Sequence, residues 1–479
     1  MIRGIISLYG WNYANILVYM LQSTEYEAGP YLRWFWHTND FSRVMYRRTL
    51  DKTGPARLLV LALRVGMALQ IVAGLLLLML WAKNDLTGGL YFGLATLLSY
   101  PIIWAHAVTL PLWLGRIIII KPRHRMYIKE SEKIFKSHSG AKIAIAGSYG
   151  KTSMKELLLT VLSEGKKAVA TPANKNVSIS HAYFAKKLDG KEDIVILEYG
   201  ENVPGDIERF AKITHPTHAI ITGIAPAHLN HYKTVANVIR DMFSVANYVE
   251  ADRVYVNGES ALAADSMHKG QQRYDSHGAL GWKVSEIELQ LTGTSFVLSK
   301  GNRKMRLHSG LLGRHQVGPL SLAAALAAEF DMSNEQIQAA IAKTQPFEHR
   351  MQPYELDGAW IIDDTYNGNI EGIRAGTALL AELDARRKIY VSPGLVDQGE
   401  EGQAVHREMG ELIARANPAI VVLMKNSATD NILFGLKAAK FKGDIVIEDD
   451  PLNFYTNLQT FVAHGDLVLM QNDWTDNYA

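Results

Sequence analysis

Two long uncharged apolar runs dominate the early part of the chain. Val65 to Ala82 and Leu86 to Gly115 contain no Asp, Glu, Lys or Arg, and only Lys83-Asn84-Asp85 separates them. Each run reaches or approaches the ~20 residues that a helix needs to cross a bilayer. The pattern predicts a transmembrane helical hairpin, over residues 58–82 and 88–115 or nearly so, with Pro101 and Pro111 kinking or shortening the second arm. Basic residues crowd both outer flanks: Arg43, Arg47, Arg48, Lys52 and Arg57 before, then Arg116, Lys121, Arg123, Arg125 and Lys129 after. Such an excess marks the cytoplasmic side, so a multi-pass protein of the inner or plasma membrane is expected, with both termini cytoplasmic. Trp81, Tyr91, Trp104 and Trp113 are candidate interfacial anchors. The competing reading is a pair of buried helices in a soluble domain. Ile5 to Leu21 is apolar and aromatic with polar interruptions, which suits a segment lying on a membrane surface without requiring it. The apolar run begins too late for a cleaved signal peptide.

After Ser137-His138-Ser139-Gly140 the pattern changes. Short β-branched runs alternate with stretches of helical period: strand 142–146, helix 151–164, strands 193–198 and 218–222 with a helix between. Such alternation predicts a mostly parallel α/β sheet. Residues 272–308 alternate over shorter distances and predict a small antiparallel insertion, with a helix near 320–329 after it. A second α/β unit begins near Gln345, with strands 360–363, 388–391, 419–423, 444–447 and 467–470 and a helix over 405–416. The expected organisation is a membrane-associated region, 1–139, a central nucleotide-type domain, 140–344, and a C-terminal α/β domain, 345–479.

Composition narrows the chemistry. With 479 residues, more than one domain is expected. The net charge of +2 gives no nucleic-acid footprint. The absence of cysteine excludes disulfides, thiolate catalysis and cysteine-ligated zinc.

The sharpest motif is Gly147-Ser148-Tyr149-Gly150-Lys151-Thr152-Ser153, which follows a predicted strand and opens a predicted helix. Backbone N–H groups at such a turn face phosphate oxygens, and the helix N-terminus favours negative charge. Lys151 can reach the outer phosphates, and the Thr152 hydroxyl can hold Mg²⁺. Ile145 stands where the general phosphate loop has its first glycine, so this is the shorter G-x-x-G-K-[ST]-[ST] form.

That form resembles the loop of the Mur ligase superfamily, and further resemblances follow in order. Thr171-Pro172-Ala173-Asn174-Lys175-Asn176 is similar to the family's segment after the second strand. Leu197-Glu198-Tyr199-Gly200, leading to Pro204-Gly205-Asp206-Ile207, resembles the stretch with a magnesium-binding glutamate. Ile221 to Leu229 resembles the stretch with a magnesium-binding histidine, here His228. Gly313-Arg314-His315-Gln316 resembles the motif near the nucleotide base. Arg350 and Asp363-Asp364-Thr365-Tyr366-Asn367 resemble the linker arginine and the D-D-[ST]-Y-N motif of the D-alanyl-D-alanine-adding branch. Ser392 to Glu400 and Gln471 to Tyr478 resemble stretches of the same branch.

The resemblance implies a Mur-ligase-like central ATPase domain and a Rossmann-like C-terminal domain. It also implies amide-bond formation with ATP and Mg²⁺ on a cell-wall precursor, through an acyl phosphate. Lys151, Glu198 and His228 would be catalytic. Residues 147–153, His315, Gln316, Arg350 and Asp364 would bind ATP, Asn174, Tyr366 and Asn367 would face substrate, and Thr152, Glu198 and His228 would hold metal. On spacing alone, Glu198 reads as readily as a solvated loop acid and His228 as a structural histidine.

Three features depart from the family. Most members carry, some fourteen residues after the histidine, a lysine that becomes carbamylated and holds a second metal; here that position is Met242. Gln316 and Pro319 replace asparagines of the base motif. The usual uridine-diphosphate-binding N-terminal domain is replaced by the expected hairpin, so the substrate is either a soluble or a lipid-linked precursor. A poly-γ-glutamate-synthase-like ligase and a nucleotide-binding scaffold at the membrane are the alternatives.

Overall fold

The computed structural model describes residues 8–10, 12–24, 26–38, 41, 50–83, 88–172, 177–226, 229–366, 368–395 and 401–472. The chain divides into two compact units, Met1–Tyr127 and Ile128–Ala479.

The first unit is helical: α1 (Tyr13–Ser23), α2 (Ala28–His37), α3 (Gly54–Ala82) and α4 (Gly89–Ala107), then a short helix over Thr109–Gly115. The Thr53 hydroxyl accepts from the Ala56 N–H, with Pro55 in the first turn, so α3 starts four residues before the expected 58. Pro101 sits inside α4 without ending it, and the second arm divides at Val108 instead. Glycines let α3 and α4 approach closely. A Cβ at Gly66 would lie 2.0 Å from the Trp104 indole, and one at Gly74 would lie 2.7 Å from Leu97. The Gln70 side chain ties the arms together, accepting from Trp104 Nε1 at 2.7 Å and donating to the Thr96 carbonyl at 2.9 Å. The segment near Ile5–Leu21 contributes a helix that packs with the hairpin. Its α1 buries Tyr13, Leu17 and Leu21 in one core with Leu63, Met67 and Ala105, and Tyr13 Oη donates to the Pro101 carbonyl at 2.9 Å. The outward faces of the hairpin remain apolar, with Leu58, Leu69, Phe92 and Leu98 all more than three-fifths exposed. Both α3 and the helical stretch beginning at Gly89 are long and apolar enough to cross a membrane.

The second unit holds two sheets. The first runs β1 (Ala141–Ala146), β2 (Ala168–Ala170), β3 (Ile194–Glu198), β4 (His218–Ile221), β5 (Val254–Asn257), β6 (Gln272–Asp275), β7 (Gly278–Ala279), β8 (Trp282–Gln290), β9 (Gly293–Lys300) and β10 (Arg303–Ser309). Their spatial order is 10-9-8-7-6-5-4-1-3-2. From β2 to β6 the neighbours are parallel; from β6 to β10 they are antiparallel. The expected antiparallel insertion is therefore a continuation of the parallel sheet.

Strand β1 shows why the sheet forms. Ile143 and Ile145 point into one core with Met154, Leu158 and Val161 of α5 (Lys151–Leu162); Ala144 and Ala146 point into the other with Ile207 and Phe210 of α6 (Asp206–Thr214) and Val238 of α7 (Val235–Phe243). Helix α8 (Val317–Glu329) closes the first face. A strand apolar on both faces must be covered on both faces.

The second sheet orders β11 (Gln352–Leu356), β12 (Ala359–Asp364), β16 (Asp466–Gln471), β13 (Arg387–Ser392), β14 (Ile420–Met424) and β15 (Asp444–Glu448) as 11-12-16-13-14-15. All neighbours are parallel except β11 with β12. Helices α9 (Ile370–Glu382) and α10 (Gly402–Ala416) cover one face.

Candidate nucleotide site

In the first sheet the chain leaves β1 to β2 and β3 on one side and returns to β4 on the other. Ligands of open α/β sheets bind where the strand order reverses, beyond the carboxyl ends of the strands. Residues 147–153, Glu198 and Thr222 all lie at that edge of β1, β3 and β4.

The loop after β1 is built by two glycines and stitched to the exit of β4. Gly147 has φ +147°, and a Cβ there would sit 2.2 Å from Thr222 Oγ1, so only glycine fits. Gly150, at φ +79°, caps α5 in the left-handed conformation. Ser148 and Tyr149 donate their N–H groups to the Gly223 carbonyl at 2.7 and 3.2 Å. Thr222 Oγ1 donates to the Tyr149 carbonyl at 2.6 Å, and Ser148 Oγ donates to Ala225 at 3.2 Å. The Tyr149 ring packs on Gly223, where a Cβ would lie 1.9 Å from it. Burial raises the Tyr149 pKa.

Lys151 folds back over this loop. Its Nζ donates to the Gly147 carbonyl at 2.5 Å and lies 2.7 Å from Glu201 Oε2; both side chains are almost wholly buried. Thr152 Oγ1 donates to Glu198 Oε1 at 3.0 Å. The other Glu198 oxygen lies 3.2 Å from Nζ of the fully buried Lys155. Ser153 is half-buried in the first turn of α5. The Glu198 backbone is fixed on both sides: its N–H donates to Thr171 Oγ1, and its carbonyl takes a bond from His181 Nε2 at 2.9 Å. Burial holds His181 down at about 4, so the ring is neutral. Asn174 and His228 lie outside the described residues.

Two oxygen donors side by side at a phosphate loop suit Mg²⁺, so Thr152 and Glu198 fit one metal position. The second position, as the resemblance implies it, does not fit. Met242 is fully buried in the core with Val238 and Tyr232, and a thioether is a poor ligand for a hard cation. The neighbouring Asp241 is already engaged: one carboxylate oxygen takes the Gly205 N–H at 2.8 Å and the other takes Tyr232 Oη at 2.7 Å. Among the described residues no group of three or more His, Asp or Glu side chains is placed to hold a metal.

The remaining expected residues cluster elsewhere in the second unit. His315 lies in the turn before α8, where burial lowers its pKa to about 4; its Nε2 accepts from Gln316 Nε2 at 3.0 Å. Arg314 reaches Glu382 of α9 at 3.0 Å. Arg350 stacks on Tyr366, guanidinium 4.6 Å from the ring centroid. At the end of β12, Asp364 accepts from the Met351 N–H and from Gln471 Nε2 at 2.8 Å, and burial lifts its pKa to about 6. Asp363 instead accepts from His349 Nδ1 at 2.7 Å and from Thr365. Asn367 lies outside the described residues. The structure thus brings Lys151, Thr152 and Glu198 together, while Arg350, Asp364 and Tyr366 are bonded within the C-terminal domain.

Glu201 and Lys155 escaped the sequence reading. Lys155 carried a usable signal, since it stands four residues after Lys151 and therefore on the same helix face.

Comparison with known proteins agrees with this geometry. Residues 145–327 match the Mur ligase middle domain. The UDP-N-acetylmuramoyl-tripeptide–D-alanyl-D-alanine ligase of Mycobacterium tuberculosis (strain ATCC 25618 / H37Rv) is 29% identical over 297 residues, covering 59% of this chain and 58% of the relative. The ligase of the same name from Escherichia coli (strain K12) is 26% identical over 280 residues, 56% of this chain and 61% of the relative. The chain thus spans about six-tenths of the length of these relatives. Among solved structures, MurF from Acinetobacter baumannii superposes with a TM-score of 0.63 at 22% identity, covering 73% of this chain and 77% of that one. MurF from Thermotoga maritima in complex with ADP gives 0.63 at 20% identity, covering 73% and 80%. The loop and the switch point both lie within residues 145–327, the part of the chain that matches the Mur ligase middle domain.

Proposed function

We propose that the chain is an ATP-dependent carboxylate–amine ligase that joins D-alanyl-D-alanine, or a similar amine, to a muramoyl tripeptide. The observation that carries this reading is the loop lysine, Lys151, poised at the sheet's switch point beside the Thr152–Glu198 pair. A substrate carboxylate oxygen attacks the γ-phosphorus, the bond to ADP breaks, and an acyl phosphate forms. The amine nitrogen then attacks the acyl carbon, phosphate leaves with the bonding pair, and the nitrogen gives up a proton. Loop N–H groups and Lys151 hold the phosphates and offset charge on the transferring group. Thr152, Glu198 and His228 would hold Mg²⁺, which when bound supplies Lewis acidity at the phosphates. Arg350 and Asp364 would contact the nucleotide, and Asn174, Tyr366 and Asn367 the substrate. The three-part division, 1–139, 140–344 and 345–479, is part of the same reading.

The same proposal places α3 and the arm that starts with α4 across the bilayer with the catalytic domains cytoplasmic, as their outward apolar faces and basic flanks support. The precursor then arrives either as a soluble uridine-diphosphate conjugate or as its lipid-linked form.

The test is ADP release by the detergent-solubilised chain with Mg-ATP, the tripeptide precursor and D-alanyl-D-alanine, with the product identified by mass. Release should require both substrates. Lys151→Ala should lower turnover on the order of 10²–10³-fold, measured on protein shown to be folded by circular dichroism; unchanged turnover would remove Lys151 from the site. Membrane insertion is checked by a carbonate wash, after which the chain should stay in the pellet.

A further inference from the structure

We propose that His349 is a positioning residue of the nucleotide site: held by Asp363, it fixes the turn that presents Arg350 to the nucleotide. The inference rests on the reading above in which Arg350 contacts the nucleotide.

Arg350 stands at the apex of a turn whose two shoulders both take the left-handed conformation, His349 at φ +59° and Met351 at φ +46°. Residues with a Cβ disfavour that region, so such a turn persists only where other bonds impose it. Here bonds impose it from both sides. The β11–β12 hairpin pairs Gln352 with Asp363, which brings the residues just before β11 against the end of β12. His349 Nδ1 then donates to Asp363 Oδ2 at 2.7 Å, while the other oxygen of Asp363 takes the Thr365 N–H and hydroxyl. The His349 N–H donates to Gln352 Oε1 at 3.1 Å, and the His349 carbonyl accepts from the Tyr366 N–H at 3.1 Å. On the other shoulder the Met351 N–H donates to Asp364 Oδ1 at 3.2 Å, and the Met351 side chain is buried in the domain core.

These bonds leave the Arg350 guanidinium on the Tyr366 ring, 4.6 Å from its centroid. Because Tyr366 is bonded to His349, the ring and the arginine are fixed to the same turn. An arginine on a slack turn gives up rotamer freedom when it meets a ligand; one already held gives up less, and the difference appears as affinity. The His349 side chain is 52% exposed. It therefore adds little to the core, and its contribution is the hold on the turn.

The experiment measures the dissociation constant for Mg-ADP on the detergent-solubilised full chain, with the folding of each variant verified by circular dichroism. Arg350→Ala and His349→Ala should each weaken binding roughly tenfold. The double variant should be no weaker than Arg350→Ala alone, because His349 acts only through Arg350. His349→Asn should bind nearly as wild type does: asparagine tolerates the left-handed region, and its Nδ2 is carried on Cγ as the histidine Nδ1 is. Unchanged binding in either alanine variant, additive losses in the double variant, or no recovery with asparagine overturns the proposal. Wild-type protein that binds no Mg-ADP would instead overturn the nucleotide reading, and this proposal with it.

Discussion

Lys155 and Glu198 sit together with almost no contact with water. Removing one partner of such a pair leaves the other charge buried, at a cost of about 3–5 kcal/mol. Lys155→Met keeps the chain length and loses the charge. It should lower stability by about that amount, read from the melting temperature; a loss below ~1 kcal/mol would show that Glu198 finds another cation. The contrast with the phosphate loop explains what could be read from residues alone. Gly147, Gly150, Lys151 and Thr152 announce themselves because all their requirements are local: a left-handed turn, a close backbone approach and a helix start. Glu198 acquires its meaning only from β3 lying beside β1, so it was legible through family resemblance. Glu201 pairs with a lysine 50 residues earlier, and no periodicity records such a contact.

Helices and strands divide by the same logic. The hairpin arms were legible because length and lack of charge are enough to specify them, yet their packing depends on single glycines. Within a bilayer, close approach of small residues and bonds such as Gln70 with Trp104 hold helices together. A side chain at Gly74 would meet Leu97, and one at Gly93 would meet Leu78. Gly74→Leu should cost about 1–3 kcal/mol, measured as a lower midpoint for helix loss in a detergent titration. Leu76→Ala, on an exposed face, should leave that midpoint almost unchanged. The parallel strands β1, β3, β4, β13 and β14 were equally legible as continuous apolar runs. Strand β11 was missed: it is an edge strand that reads Gln-Pro-Tyr-Glu-Leu, and its proline and charge are what an edge tolerates. The antiparallel stretch was legible as strands, but nothing in its alternation shows that it joins the parallel sheet through β6 and β7.

Across the whole molecule, titration should follow three histidines. Burial depresses His181, His218 and His315 to about 4. Each therefore contributes stability that is full above its unfolded value, near 6.5, and is lost as pH falls toward 4. Asp364 has the opposite sign. Its pKa is raised to about 6, so its contribution is present below its unfolded value and lost as pH rises through 6. Near pH 5 unfolding should take up three protons on the histidines and release one from Asp364. Stability should then fall as pH falls, at about 2.7 kcal/mol per pH unit from these four groups. Melting temperatures at pH 7, 6 and 5 check this: a flat profile contradicts it, and His181→Phe should remove about a third of the histidine part.

The two sheets differ in when their centres are made. β1 is the first strand described and lies inside its sheet; β3 enters early between β1 and β2, and every later strand adds outward to an existing template. β16 is the last strand described, yet it lies between β12 and β13. During synthesis the first sheet can assemble as it emerges, whereas the second must hold a gap open until residues 466–471 arrive. Until then the edges of β12 and β13 are unpaired and apolar, the form most prone to joining another chain. A stop codon before residue 466 would make that exposure permanent, so late nonsense mutations should yield aggregates rather than shortened but soluble protein.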